Sequence, residues 1–467
     1  MAQILGESLL KKKLINRDQL DKALERQKIR GGRLGQNLIA LGFIREEELA
    51  TVFNKVPPAP RKLRETGLDL EFVANLTLKH ALFLGEFRLP EISNRLKLPN
   101  SIVEKGLDEL RQKRLIDVSR ADLLAKLTYH YRITDDGKRR AGELLDVCRY
   151  TGPAPVLLDD YRKMVAAQTV KNILVNPEKV DQAFAHLTVN HRLLSRLGPA
   201  VSSGKAIFLY GPAGNGKTTI AETIGEILPD TIFIPHAILV GGELVTVFDP
   251  VNHVPVPDGE WKQIYDHRWV HIRRPVVMTG GELTLRMLDL EFNPVSKFYD
   301  APLQLKSNNG LFIVDDFGRQ QMPPDNLLNR WIVPLERRTD FLNLHTGMKF
   351  DIPFDQLVLF STNLEPRTLV DEAFLRRIRY KIKIDHPSEQ EYEEIFKRVC
   401  KSNEIKFKQD VFDFLLDLYH RLDVKLNSCH PRDLIDQIVD SAHYHCIAPE
   451  LTKKNVNEAW ENYFVEF

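Results

Sequence analysis

Four cysteines, Cys148, Cys400, Cys429 and Cys446, are all that 467 residues supply, and no two of them form a CxxC pair. So few in a chain this long exclude a disulfide framework and predict reduced thiols. Net charge is equally scarce, with 65 Lys and Arg against 64 Asp and Glu. A protein that works by coating nucleic acid or anionic membrane needs a marked excess of one sign, so the balance argues against that class while leaving room for a local basic patch. No run approaches the ~20 continuous apolar residues that a membrane span requires. Lys11, Lys12 and Lys13 interrupt the apolar stretch that a signal peptide would need. The expectation is a soluble, cytoplasmic chain without membrane insertion, of roughly three domains.

Proline-containing joints mark the blocks. Residues 1–55 hold an internal repeat in which Gly6 aligns with Gly35, Leu9 with Leu38, Leu14-Ile15 with Phe43-Ile44, and Leu20 with Leu49. Each copy reads as helix, turn, helix, too small to bury its own apolar face, so the two are expected to pack together. KVPPAPRK, from Lys55 to Lys62, reads as a linker because its prolines cannot propagate a helix. Residues 66–150 read as helix, helix–turn–helix, then two strands at Ile116–Val118 and Tyr129–Ile133, and a helix opened by Thr134. That is the order of a winged-helix domain of α+β type. After TGPAP (Thr151 to Pro155), residues 165–386 alternate apolar strands with helices, which predicts a parallel α/β sheet. Residues 387–467 are helical, opened by a capping box of Ser388 and Glu391.

The strongest local signal is AIFLYGPAGNGKTTIAETIGEIL. An apolar strand runs into Gly211-Pro212-Ala213-Gly214-Asn215-Gly216-Lys217-Thr218, which matches GxxxxGK[ST], and an apolar helix carrying Thr219 follows. Glycines let backbone N–H groups turn inward around phosphate oxygens, and the helix N-terminus adds partial positive charge. Lys217 should reach the β- and γ-phosphates, and Thr218 should ligate Mg²⁺. Leu311 to Arg319, LFIVDDFGR, is a strand that ends in acids where α/β sheets bind ligands. Asp315 would hold the metal, and Asp316 would orient or deprotonate the attacking water. LVLFSTN ends in Asn363, an amide able to hold that water. FLRRIRYKI carries Arg376, Arg377 and Arg379, and CHPRDL carries Arg432; arginine stabilises charge on a transferring phosphoryl group.

In this order the elements resemble the AAA+ ATPase family over about Val170 to Phe467: Walker A, Walker B, sensor 1, arginine finger and sensor 2. The resemblance implies an αβα sandwich with a C-terminal helical lid, ATP and Mg²⁺ as ligands, and a homo-oligomeric, usually hexameric ring with ATP between protomers. It makes Asn363 sensor 1, Arg376 or Arg377 the trans-acting finger, and Arg432 sensor 2. The usual acid after the metal-binding aspartate is glutamate, and Asp316 departs from it. An insertion at Val240–Arg274 with Trp261, Tyr265 and Trp269, and a hairpin between Glu336 and Leu357, resemble the subgroup of MoxR-like ATPases and magnesium chelatases. These loops are expected to handle a protein client.

The repeat resembles the N-terminal domain of type II secretion and type IV pilus ATPases, which implies either cyclic di-GMP binding through Arg33, Leu34, Gly35 and Leu38 or a docking module. The first copy departs from that pattern at Ile4 and Lys13. Two functions stay open: an ATP-driven remodeller of a protein client, and an ATP-regulated protein that binds DNA through the winged helix. The candidate recognition helix mixes Lys105, Arg111 and Lys113 with Glu104, Asp108 and Glu109, which phosphates would repel. Cys429, His430, His443, His445 and Cys446 are zinc-ligand types whose spacing does not converge on one face.

Overall fold

The computed structural model describes the chain outside residues 1–5, 7–8, 11–13, 31–33, 46–55, 121–128, 174, 229–230, 258–264, 370–371 and 465–467. Its centre is a five-stranded parallel sheet. The strands lie in the order Val276–Thr279, Leu311–Val314, Leu357–Thr362, Ile207–Tyr210, Tyr380–Lys383. Their near-continuous apolar runs follow from burial on both faces. Side chains alternate across the sheet: Ile207, Leu209, Leu311, Ile313 and Leu359 meet the helices Pro177–Phe184, His191–Ser203 and Lys217–Ile227 on one face. Phe208, Phe312, Val314, Val358 and Phe360 meet Trp331 of the helix Pro324–Arg337 on the other. The chain leaves Ile207–Tyr210, passes to the far edge, and returns to pair Leu357–Thr362 beside it. That reversal of strand order opens a crevice at the carboxyl ends of these two strands.

A second five-stranded sheet, formed by Val156–Leu157, Ala237–Val240, Glu243–Thr246, Glu291–Asn293 and Phe298–Asp300, stands apart from the first. The hairpin expected before Leu357 is present as Thr339–Asn343 paired with Lys349–Pro353. Of the aromatics in the 240–274 insertion, Tyr265 and Trp269 are buried in its core, and Trp261 lies outside the described residues. Tyr265 and Trp269 share that core with Val156, Tyr161, Tyr299 and Ile352 and offer no exposed surface.

Residues 66–150 place the helices Leu70–Leu84, Leu89–Leu96, Asn100–Gln112 and Asp135–Val147 around a three-stranded antiparallel sheet, Glu86–Arg88, His130–Ile133, Ile116–Arg120. Thr134 caps the last helix by accepting from the Gly137 N–H at 3.0 Å. Farther upstream, Leu9, Ile15, Leu20, Leu34, Leu38 and Ile44 share one buried cluster. At the other end, the helices Glu389–Ser402, Gln409–Arg421, His430–Tyr444 and Lys453–Tyr463 pack around Tyr392, Phe412, Leu415 and Trp460. Ser388 and Glu391 form the reciprocal capping box that opens them.

The proline joints are not free linkers. Arg268 and Asp266 are 3% and 4% exposed and form an ion pair at 2.7 Å. Arg268 Nη1 donates to the carbonyls of Thr66 and Pro155, while the Asp266 N–H donates to Pro57 O. One buried pair thus ties both joints to the insertion. Arg268→Ala leaves a buried carboxylate without its counter-charge, which typically costs about 3–5 kcal/mol. A marked drop in the thermal unfolding midpoint is expected, and an unchanged melt would show that the joints hold without the pair.

Candidate functional site

The loop after Ile207–Tyr210 turns through Gly211, Gly214 and Gly216, with φ of +143°, +76° and +74°. At Gly211 a side chain is excluded twice over, by that φ and because a Cβ would lie 2.0 Å from the Ile384 carbonyl oxygen. The turn delivers Lys217 to the first position of the helix Lys217–Ile227, whose N-terminal N–H groups attract anions. The Lys217 ammonium is buried and donates to Gly211 O at 3.0 Å and Pro212 O at 2.8 Å. Burial pushes its pKa below the ordinary lysine value, and the Asp315 and Asp316 carboxylates oppose that shift.

Thr218, exposed in the first turn, donates its hydroxyl to Asp315 Oδ2 at 2.7 Å. From the end of Leu357–Thr362, the strand between these two, Asn363 donates to Asp316 Oδ1 at 3.2 Å. Asp316 occupies the left-handed region, φ +45°, which aspartate tolerates better than most residues. Its loop is pinned on both sides: Asp315 N–H donates to Thr279 O and Phe317 N–H to Ser361 O, both at 2.7 Å. From below, the Gln320 amide donates to the Asp315 and Asp316 carbonyls at 3.0 and 3.2 Å. Lys217, Thr218, Asp315, Asp316 and Asn363 therefore converge at the carboxyl ends of three adjacent strands.

The Thr218 hydroxyl and the Asp315 carboxylate are hard oxygen donors, the type Mg²⁺ takes, and Mg²⁺ that arrives with a nucleotide needs only one or two such groups beside phosphates and water. Among the described residues no cluster of three or more His, Cys, Asp or Glu could hold a metal by itself. The donor set therefore fits a metal shared with phosphate.

The C-terminal helices reach this loop through a contact with no sequence signal. Asn215 Oδ1 accepts from the Ser428 N–H at 3.0 Å, its amide donates to Asn427 Oδ1 at 3.2 Å, and the Cys429 N–H donates to Gly214 O at 2.8 Å. Arg432 is exposed in the first turn of the helix His430–Tyr444 that this contact docks against the loop. Arg376 and Arg377 are not brought to the site. They precede Tyr380–Lys383, at the amino end of the sheet, where Arg377 pairs with Glu336 at 2.5 Å. A four-residue strand spans roughly 13 Å at ~3.3 Å per residue, so a whole sheet depth separates them from the phosphate loop.

Elsewhere, Leu34 and Leu38 are buried inside the N-terminal cluster, and Arg33 lies outside the described residues. On the helix Asn100–Gln112, Arg111 lies 3.9 Å from Asp108, and Lys113 just beyond its end lies 2.9 Å from Glu109, so neighbouring acids offset both cations.

Residues 388–462 match a family described as Domain of unknown function (DUF8689), which falls on the C-terminal helices. No curated protein matches the chain. Among solved structures, the Thermotoga maritima RuvB Holliday junction branch migration motor aligns over 62% of this chain and 71% of its own, at 13% identity and a TM-score of 0.34. Domain III of the Thermotoga maritima replication initiation protein DnaA aligns over 63% of this chain and 100% of its own, at 13% identity and a TM-score of 0.36. Superpositions at these scores carry no functional argument, which rests on the site itself. No helix among the described residues is long and apolar enough to cross a membrane.

Proposed function

We propose that the chain is an AAA+ ATPase that couples ATP binding and hydrolysis between protomers to the remodelling of a protein client. The observation that carries this reading is the pairing of Thr218 with Asp315 and of Asn363 with Asp316 beside Lys217. A glycine loop, a hydroxyl, two carboxylates and an amide at one strand-order reversal are what binding and hydrolysing a nucleoside triphosphate require. Lys217 binds the β- and γ-phosphates. Thr218 and Asp315 would hold Mg²⁺, which supplies neutralisation of phosphate charge. Asp316 takes the proton of the attacking water, and Asn363 orients both. Arg432 enters from the C-terminal helices, which fold over the loop as a lid.

The remote position of Arg376 and Arg377 supports assembly: arginines a sheet depth from their own loop serve a neighbour's nucleotide. A homo-oligomeric ring meets that requirement. The surface for the protein client is the hairpin and second sheet rather than the buried aromatics. Cyclic di-GMP is left out of this reading, since Leu34 and Leu38 are core residues.

Asp316→Asn is the direct test. An amide cannot accept the proton, so turnover should fall by about 10²- to 10⁴-fold while ATP affinity stays within a few-fold of the parent. Phosphate release measured beside a nucleotide titration separates the two, and turnover at the parent rate would remove Asp316 from this role.

A further inference from the structure

At the amino end of the sheet, under the starts of Ile207–Tyr210, Leu357–Thr362 and Tyr380–Lys383, lies a cavity of about 220 Å³. Lys205, Arg338, Arg376, Arg377 and Arg379 line it, with Glu336 as the acid in its wall. Glu336 pairs with Arg377. The other negative groups nearby are Asp355 behind Arg338, itself engaged by Thr169, the Val170 N–H and Asn309, and the carboxyl end of the helix Pro324–Arg337. That helix end offers only about half a charge.

The cation cluster is built in. Arg338, itself in the left-handed region at φ +58°, donates to Gln356 O at 2.8 Å and to Gly204 O, which fixes its guanidinium in the wall. Gln356, fully buried in the same wall, has neither side-chain polar atom hydrogen-bonded among the described residues, and Arg338 Nε is likewise unbonded. Buried polar groups without partners cost stability unless a ligand or a rearrangement meets them. Burial lowers the Lys205 pKa, and repulsion from Arg338, Arg379 and Lys171 lowers it further. An anion would accept from the Gln356 amide N–H and Arg338 Nε–H and offset the repulsion among the cations. The cavity has room for a tetrahedral oxyanion with some of its hydration.

We propose that this cavity is a second anion site, which binds inorganic phosphate through Lys205, Arg338 and Arg379 and fixes the segment that carries Arg376 and Arg377. Binding itself does not depend on the ATPase reading; its effect on the neighbouring protomer does. The same chemistry could be satisfied by the terminal phosphoryl group of a nucleotide held by a second copy, so the test must distinguish the sources.

Inorganic phosphate is titrated calorimetrically into the full chain carrying Lys217→Ala, which disables the phosphate loop, at a dilution where the chain is monomeric and without nucleotide. Retained binding is expected, weakened at least about tenfold by Lys205→Gln and by Arg379→Gln, each of which removes one charge-assisted contact. Arg379 is exposed, so its variant should keep the parent melt. Binding lost with Lys217→Ala alone, or unchanged in both cavity variants, overturns the proposal. So does binding seen only when a second copy supplies nucleotide, which would assign the cations to that nucleotide. Nucleotide titration of the Lys205→Gln chain reads the phosphate loop separately, so failure of one site is not mistaken for failure of the other.

Discussion

Lys217→Ala is expected to weaken ATP binding by about 10²- to 10³-fold, the cost of truncating one partner of a buried, hydrogen-bonded charge pair. The ammonium lies across the mouth of the glycine loop, held by two backbone carbonyls that mark where its charge is directed. Loss of fold does not explain the effect in advance. Burial depresses the Lys217 pKa, so the folded state holds this proton less tightly than the unfolded chain does, and the charge itself disfavours folding below the folded-state pKa. The variant should therefore melt at or above the parent temperature while a fluorescent-nucleotide titration shows the loss. Unchanged affinity would remove the loop from the function altogether, and a lower melt would mean that the lysine braces it.

What the sequence made legible was what a local pattern can carry. The glycine loop, the acid-terminated strand Leu311–Val314 and the capping box at Ser388 each have a physical signature within ten residues. Long-range pairing has none. Asn215 sits at an unspecified position of the loop motif, and its partner Asn427 is 212 residues away. Gln320 looks like one polar residue in a polar loop until its amide is seen under two carbonyls. The joints misled for a related reason: prolines exclude helix, but they do not exclude burial, and Pro57 and Pro155 lend carbonyls to a buried pair at Asp266 and Arg268. In the N-terminal block a leucine at a ligand-contact position and a leucine in a core read alike, and Leu34 and Leu38 are in the core.

Replacing both Arg376 and Arg377 by alanine is expected to lower ATP turnover by about 10³- to 10⁵-fold, the range for loss of an arginine that stabilises a transferring phosphoryl group, with ATP affinity nearly unchanged. The reason is position. Both precede Tyr380–Lys383 at the amino end of the sheet, and the phosphate loop leaves the carboxyl end of the adjacent strand Ile207–Tyr210. An arginine side chain cannot cross the roughly 13 Å of that strand, so any catalytic work they do is done for another copy. Two consequences separate this from a structural role for the Arg377–Glu336 pair. The rate per protomer should fall on dilution through the dissociation range. Mixing the double arginine variant with Lys217→Ala, each inactive alone, should restore part of the activity, because the intact loop of one can face the intact arginines of the other. A pair that matters only for folding would instead lower the melting temperature, leave the rate per folded protomer flat on dilution, and show no recovery on mixing.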